Sequence, residues 1–229
     1  MMIWQDSEQT VLPFNDLIFP DEVDNATLKC LCNPKFIQNA ILYGPPGTGK
    51  TVACRAIAAA RTNSATFSEL NTRVTIVNAK SEEDRELMKN ESFILNRAQL
   101  SKFTEDNAMT VFIFDEIDFL KPTQQNQLIA AIDKAASYCP VMILATTNEM
   151  LDSKQFIPAL IDRFHHKFYF PKIEVKHFVP VAQKYLRNAN IEFSDEDLEQ
   201  RLSIYLNSDE ASFRDVRSFV NAAIMKSQM

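Results

Sequence analysis

Glycine is confined to one place in this chain. The sequence holds three glycines in 229 residues, and Gly44, Gly47 and Gly49 all fall in one short window. Turns elsewhere must be made by Pro, Asn, Asp and Ser, so these glycines point to a local backbone that side chains disfavour. The window reads Ile41-Leu42-Tyr43-Gly44-Pro45-Pro46-Gly47-Thr48-Gly49-Lys50-Thr51, with an apolar run before it and a helical pattern over 51–61 after it. Strand, glycine loop and helix in that order make the Walker A pattern. Glycines let backbone N–H groups curl around phosphate oxygens, and the helix N-terminus adds the positive end of its dipole. Lys50 is expected to reach the β- and γ-phosphates of a nucleoside triphosphate, and the Thr51 hydroxyl to ligate Mg²⁺. Gly44, Pro45, Pro46, Gly47, Thr48, Gly49, Lys50 and Thr51 are thus the expected binding loop, with ATP and Mg²⁺ as its ligands.

A loop of this kind needs a sheet to carry it. Five short β-rich runs stand out: Ala40–Tyr43, Val74–Asn78, 110–114, 141–146 and 167–170. Each is apolar over most of its length, as buried parallel strands are. Helical patterns lie between them, including 125–137 with Leu128, Ile129 and Ile132 at helical spacing. The alternation predicts an α/β fold with helices on both faces of the sheet. After Pro171 three helical segments follow without a strand: Val175–Asn188, Asp195–Leu206 and 211–226. Ser194 is placed as an N-cap, with acids in the first turn after it. The expected organisation is an α/β nucleotide-binding domain over 1–171 and a small all-helical domain over 172–229. No internal repeat or low-complexity segment interrupts it.

The third run continues as Val111-Phe112-Ile113-Phe114-Asp115-Glu116, a hydrophobic strand ending in two acids. This is the Walker B arrangement. A buried strand would deliver Asp115 to the Mg²⁺ shell, and Glu116 would polarise the attacking water as a general base. Asp118 is expected to cap a helix or turn.

Hydrophobic residues make up 46% of the chain and charged residues 24%, which fits a soluble globular protein. No apolar run approaches the roughly 20 residues that span a bilayer. The first ten residues are acidic and polar, unlike a signal peptide, so a cytoplasmic location without membrane partners is expected. Cys30 and Cys32 are too close for the usual zinc spacing, and with Cys54 and Cys139 they are expected to be reduced thiols. The net charge of −6 gives no direct sign of nucleic acid, although a ring can gather its basic groups on one face.

The Walker pair, followed by Ile143-Leu144-Ala145-Thr146-Thr147-Asn148, resembles the AAA+ class of ring-forming ATPases. That resemblance implies a P-loop NTPase fold, a five-stranded parallel sheet in the order 5-1-4-3-2, and a C-terminal helical lid. It implies that Asn148 is sensor 1, contacting the γ-phosphate or the attacking water. Pro158-Ala159-Leu160-Ile161-Asp162-Arg163-Phe164 is similar to the arginine-finger segment. Arg163 would then reach the nucleotide of a neighbouring subunit in a homo- or hetero-oligomer. Ala211-Ser212-Phe213-Arg214-Asp215-Val216-Arg217 is similar to the sensor 2 helix, with Arg214 as the matching arginine. The segment 14–19 would approach the adenine.

Within that class the resemblance is strongest to clamp-loader ATPase subunits of the replication factor C and phage kind, and it runs from about Leu12 to Lys226. Val77-Asn78-Ala79 matches their Asn-Ala, which makes Asn78 a switch that holds the catalytic glutamate away until partners engage. Leu120-Lys121-Pro122-Thr123-Gln124-Gln125-Asn126-Gln127-Leu128 is similar to their coupling helix, with Gln125 on the coupling glutamine. The sequence departs from that pattern in three ways. The finger reads Asp162-Arg163-Phe164 where clamp loaders have Ser-Arg-Cys. Ile129 and Ala130 stand where basic residues often follow. No third, collar domain is expected after the lid.

The function expected is therefore an ATP-hydrolysing oligomeric switch in DNA transactions, of clamp-loader, helicase-loader or initiator type, with DNA or a replication protein as partner. The alternatives are a protein remodeller and a nucleotide-dependent assembly module without turnover. The remodeller would carry an aromatic-glycine pore loop, but 80–101 holds Phe93 and no glycine. In that region Lys80, Arg85, Lys89, Arg97 and Lys102 are interleaved with Glu82, Glu83, Asp84, Glu86 and Glu91. A DNA-tracking surface and a solvated helix face both fit this pattern.

Overall fold

A computed structural model describes residues 10–17, 19–20, 23–88, 90–100, 110–138, 140–206 and 213–227. From the N-terminus its elements run α1 (Asn25–Cys30), β1 (Ala40–Tyr43), α2 (Lys50–Thr62), α3 (Phe67–Arg73), β2 (Val74–Asn78), α4 (Glu82–Met88), α5 (Glu91–Leu100) and β3 (Thr110–Asp115). They continue with α6 (Pro122–Tyr138), β4 (Val141–Thr147), α7 (Pro158–Ile161), β5 (His166–Tyr169), α8 (Val175–Asn188), α9 (Asp195–Leu206) and α10 (Phe213–Ser227).

The five strands form one parallel sheet in the order β2-β3-β4-β1-β5. This is the expected order read from the other edge. Alternation along the strands explains the two layers. Val111 and Ile113 of β3 join Leu42 and Leu144 under α2, while Phe112 and Phe114 join Ile41 and Ile143 under α6 and α7. Both faces are covered, so the strands read as continuous apolar runs. Full burial of side chains such as Phe112 and Phe114 contributes roughly 1.5–3 kcal/mol each. Helices α8, α9 and α10 pack around a third apolar cluster of their own, centred on Phe178, Leu198, Leu202 and Val220.

Local chemistry sets the element ends. Thr66 and Glu69 close a capping box that starts α3. The Ser194 hydroxyl accepts the Asp197 N–H at 3.2 Å, the expected cap of α9. Several boundaries move from those expected. β3 and β4 each run one residue further, because Asp115 still pairs with Asn78 and Thr147 with Tyr43. β5 begins and ends one residue earlier, where the His166 N–H bonds the Asn39 carbonyl. α6 begins at Pro122, three residues before its apolar pattern, since proline is suited to a first helical turn. Residues 211–212, expected to open α10, and Cys139 lie outside the described residues.

Candidate active site

The binding loop leaves β1 toward α2 at the C-terminal edge of the sheet, where open α/β sheets place ligands. Gly44 has φ +132°, and a Cβ there would lie 2.2 Å from the Phe170 carbonyl oxygen. The loop thus passes too close to the exit of β5 for any other residue. Gly49 has φ +93° and faces the Phe213 ring from α10. The Phe213 N–H also donates to the Gly47 carbonyl at 3.3 Å. The start of α10 therefore rests directly on the loop. Arg214 follows on α10, with its side chain outside the described set.

Lys50 is buried, and its ammonium donates to the carbonyls of Gly44 at 2.7 Å and Pro45 at 2.6 Å. Burial pulls its pKa down to about 8 against the opposing pull of Asp115, Asp118 and Glu116. A cation held by carbonyls and penalised by desolvation gains from an arriving anion. Pro45 also accepts the Thr48 hydroxyl at 3.0 Å. Beside Lys50, the Thr51 hydroxyl donates to Asp115 Oδ1 at 2.9 Å. Among the described residues no cluster of three or more His, Cys, Asp or Glu could hold a metal alone. The Thr51–Asp115 pair does suit a magnesium ion arriving with nucleotide phosphates, since such an ion takes only one or two protein oxygens beside phosphate and water.

Glu116 stands directly after β3 with φ 55° and ψ 48°, left-handed backbone that few non-glycine residues adopt. Its N–H donates to the Thr146 hydroxyl at 3.0 Å, and the same hydroxyl bonds Asp115 Oδ1. Thr146 was not among the expected site residues. A hydroxyl at the end of an otherwise apolar strand was the available signal. Asn148 is half-buried just past β4, and its N–H donates to Asp118 Oδ1 at 3.3 Å. Asp118 thus caps the loop that carries Asn148.

Asn78 pairs with Asp115 across β2 and β3, which places it at the same edge. Its side-chain oxygen accepts the Lys80 N–H at 2.8 Å, and its own N–H donates to Asp84. Gln125 is fully buried and bonds the carbonyls of Leu120 and Gln155 and the Ile157 N–H. It ties α6 to the segment entering α7. Arg163, past α7, makes a two-pronged bond to Asp133 of α6, with both distances 2.7 Å. Hydrogen bonding from Arg163 holds the Asp133 carboxyl below its usual range.

In the segment 14–19, Phe14 is buried in the core and Phe19 packs edge-on against Phe170. Asp16 forms an ion pair with Lys184 of α8 at 3.4 Å, which links this segment to the C-terminal helices. Cys30, Cys32 and Cys54 are free thiols. Of the basic residues, Lys80 lies over the exposed Phe119 ring, and Arg85 bonds the Ala79 and Lys80 carbonyls. Lys89 and Lys102 lie outside the described residues. No helix among the described residues is long and apolar enough to cross a membrane.

Comparison with known proteins bears on the family and the fold. The family model "ATPase family associated with various cellular activities (AAA)" matches residues 40–172. Peroxisomal ATPase PEX6 of Dictyostelium discoideum is 31% identical over 139 residues, which cover 54% of this chain and 10% of that protein. This chain thus spans a tenth of that relative's length. Replication initiator DnaA, solved with AMPPCP and single-stranded DNA, superposes with a TM-score of 0.64 at 17% identity, covering 93% of this chain and 65% of that one. The Thermotoga maritima RuvB Holliday junction branch migration motor gives 0.59 at 20% identity, covering 85% and 57%. At these identities the two structures speak for the fold.

Proposed function

The chain belongs to the ATPase family associated with various cellular activities, and from that premise we propose that it binds ATP with Mg²⁺ at residues 44–51 and hydrolyses it. The observation that carries this reading is the meeting of Lys50, the Thr51–Asp115 pair and Glu116 at one sheet edge. Lys50 would hold the phosphates, and Thr51 and Asp115 would hold the magnesium ion, which would neutralise phosphate charge when bound. Glu116 takes a proton from water as the water oxygen bonds the γ-phosphorus. The bond to the β–γ bridging oxygen breaks, leaving ADP and phosphate. Asn148 orients the water or the γ-phosphate, Arg163 serves a neighbouring subunit's site, and Arg214 closes on the nucleotide from a lid formed by 172–229.

At the finer level we read the chain as a subunit of an oligomeric switch in DNA transactions, with Asn78 restraining Glu116. The buried Gln125 supports that reading, since its three bonds connect α6 to the segment that leads to Arg163. DnaA, a replication initiator bound to single-stranded DNA, and RuvB, a Holliday junction branch migration motor, are named for such work. The test is the ATPase rate alone and with single-stranded, duplex and primed DNA, with an unfolded protein as comparison. Stimulation by one DNA form is expected. Stimulation by the unfolded protein alone would move the chain to the remodellers.

A further inference from the structure

We propose that Thr146 is a positioning residue for both acids of the site, orienting the Asp115 carboxylate and the Glu116 backbone through one hydroxyl. The inference rests on the hydrolysis reading above and adds a residue to it. Thr146 lies on β4, one step beyond the Phe114–Ala145 pair, and is almost fully buried. A buried strand position does not need a hydroxyl there, since valine has the same shape and suits a strand. A hydroxyl in such a place costs free energy unless it is satisfied.

Here it is satisfied in both directions, and the directions are fixed. The Glu116 N–H can only donate, so the hydroxyl accepts from it at 3.0 Å. Its single proton is then free for Asp115 Oδ1, the other contact. The Thr51 hydroxyl gives a second proton to that same oxygen at 2.9 Å. Donors from β4 and from α2 therefore grip one carboxylate oxygen and fix the rotation of the group. Both donors are neutral, so they orient Asp115 without cancelling the charge a cation would need. On its other side the hydroxyl anchors the N–H of a residue whose φ of 55° is sparsely populated without glycine. One group thus sets where the metal-side acid points and where the base leaves the strand.

The test compares Thr146→Val with Thr146→Ser. The measurements are kcat, KM for ATP, the Mg²⁺ concentration for half-maximal rate, fluorescent-ATP affinity with and without Mg²⁺, and thermal midpoint. Thr146→Val should lose about tenfold or more in kcat, as loss of oriented hydrogen bonds to charged groups implies. Its Mg²⁺ requirement should rise and its midpoint fall by a few degrees, since the Glu116 N–H loses its partner, while metal-free nucleotide affinity stays near the parent's. Thr146→Ser should recover most of the rate. A valine variant with the parent's kcat and Mg²⁺ requirement would overturn the proposal, and so would a serine variant as impaired as valine. A parent that binds nucleotide without hydrolysing it contradicts the hydrolysis reading alone. The Mg²⁺ dependence of binding then still decides the role of Thr146: a rise in the valine variant supports it and no change overturns it.

Discussion

The Lys50 ammonium is buried against two carbonyls of its own loop, and that state sets a proton linkage. Its pKa, pulled down to about 8 by desolvation, must rise when phosphates arrive, because they favour the charged form. ATP binding above pH 8 should therefore take up a proton. Affinity should be level below pH 8 and fall as pH rises through it, by up to about tenfold per unit. Titration calorimetry from pH 7 to 9.5, in buffers of different ionisation enthalpy, checks both statements, and Lys50→Met should flatten the profile. In the nucleotide-free fold the sign is reversed. A lysine depressed from 10.5 to about 8 destabilises the native state fully below pH 8, and the cost is relieved as pH rises toward 10.5. Lys50, Thr51, Asp115 and Glu116 were legible in the sequence because their chemistry depends on fixed spacing within one loop and one strand end. Thr146 was not, since its role comes from the contact between β3 and β4. The turn of the Asn78 oxygen toward Lys80 was equally hidden, being a choice of rotamer.

At the scale of elements, the strands were legible because both of their faces are buried, whereas the sheet order, which differs from the chain order, followed only from the family resemblance. Their ends were less so. The polar residues His166, Asp115 and Thr147 extend strands through backbone pairing that hydropathy does not register. Two contacts between elements give predictions. Gly44→Ala would drive a Cβ against the Phe170 carbonyl at 2.2 Å and impose φ +132° on a residue with a side chain. The joint between β1 and β5 should weaken, with a loss of several kcal/mol on the scale of overpacking plus backbone strain, roughly 2–5. A thermal midpoint within a degree of the parent's would contradict this. Gln125→Leu would leave the Leu120 and Gln155 carbonyls and the Ile157 N–H without their present partner. A cost of roughly 2–4 kcal/mol follows from buried unsatisfied groups, to be read by denaturant unfolding.

At the scale of the whole molecule, the proposed assembly turns on Arg163. In the single chain it pairs with Asp133, and both side chains are partly exposed. An exposed pair of this kind is worth no more than about 1 kcal/mol, so it can give way to a neighbour's γ-phosphate. Asp133→Asn should therefore keep or raise activity, while Arg163→Ala abolishes it. If the pair were only structural, the two variants would fall together. Arg163→Ala and Lys50→Ala, each inactive alone, should regain part of the rate when mixed, because some interfaces then join an intact loop to an intact finger. Specific activity should rise with protein concentration, as a trans arginine contributes about 10³-fold or more in related phosphoryl transfer. All of this presupposes that ATP is hydrolysed at this sheet edge by the acid beyond β3. The most direct measurement follows radiolabelled ATP on assembled Glu116→Gln beside the parent, recording bound nucleotide and released phosphate together. The account predicts that the variant holds Mg²⁺ and ATP as well as the parent while phosphate release falls by about 10²-fold or more. Release at the parent's rate from Glu116→Gln would contradict it.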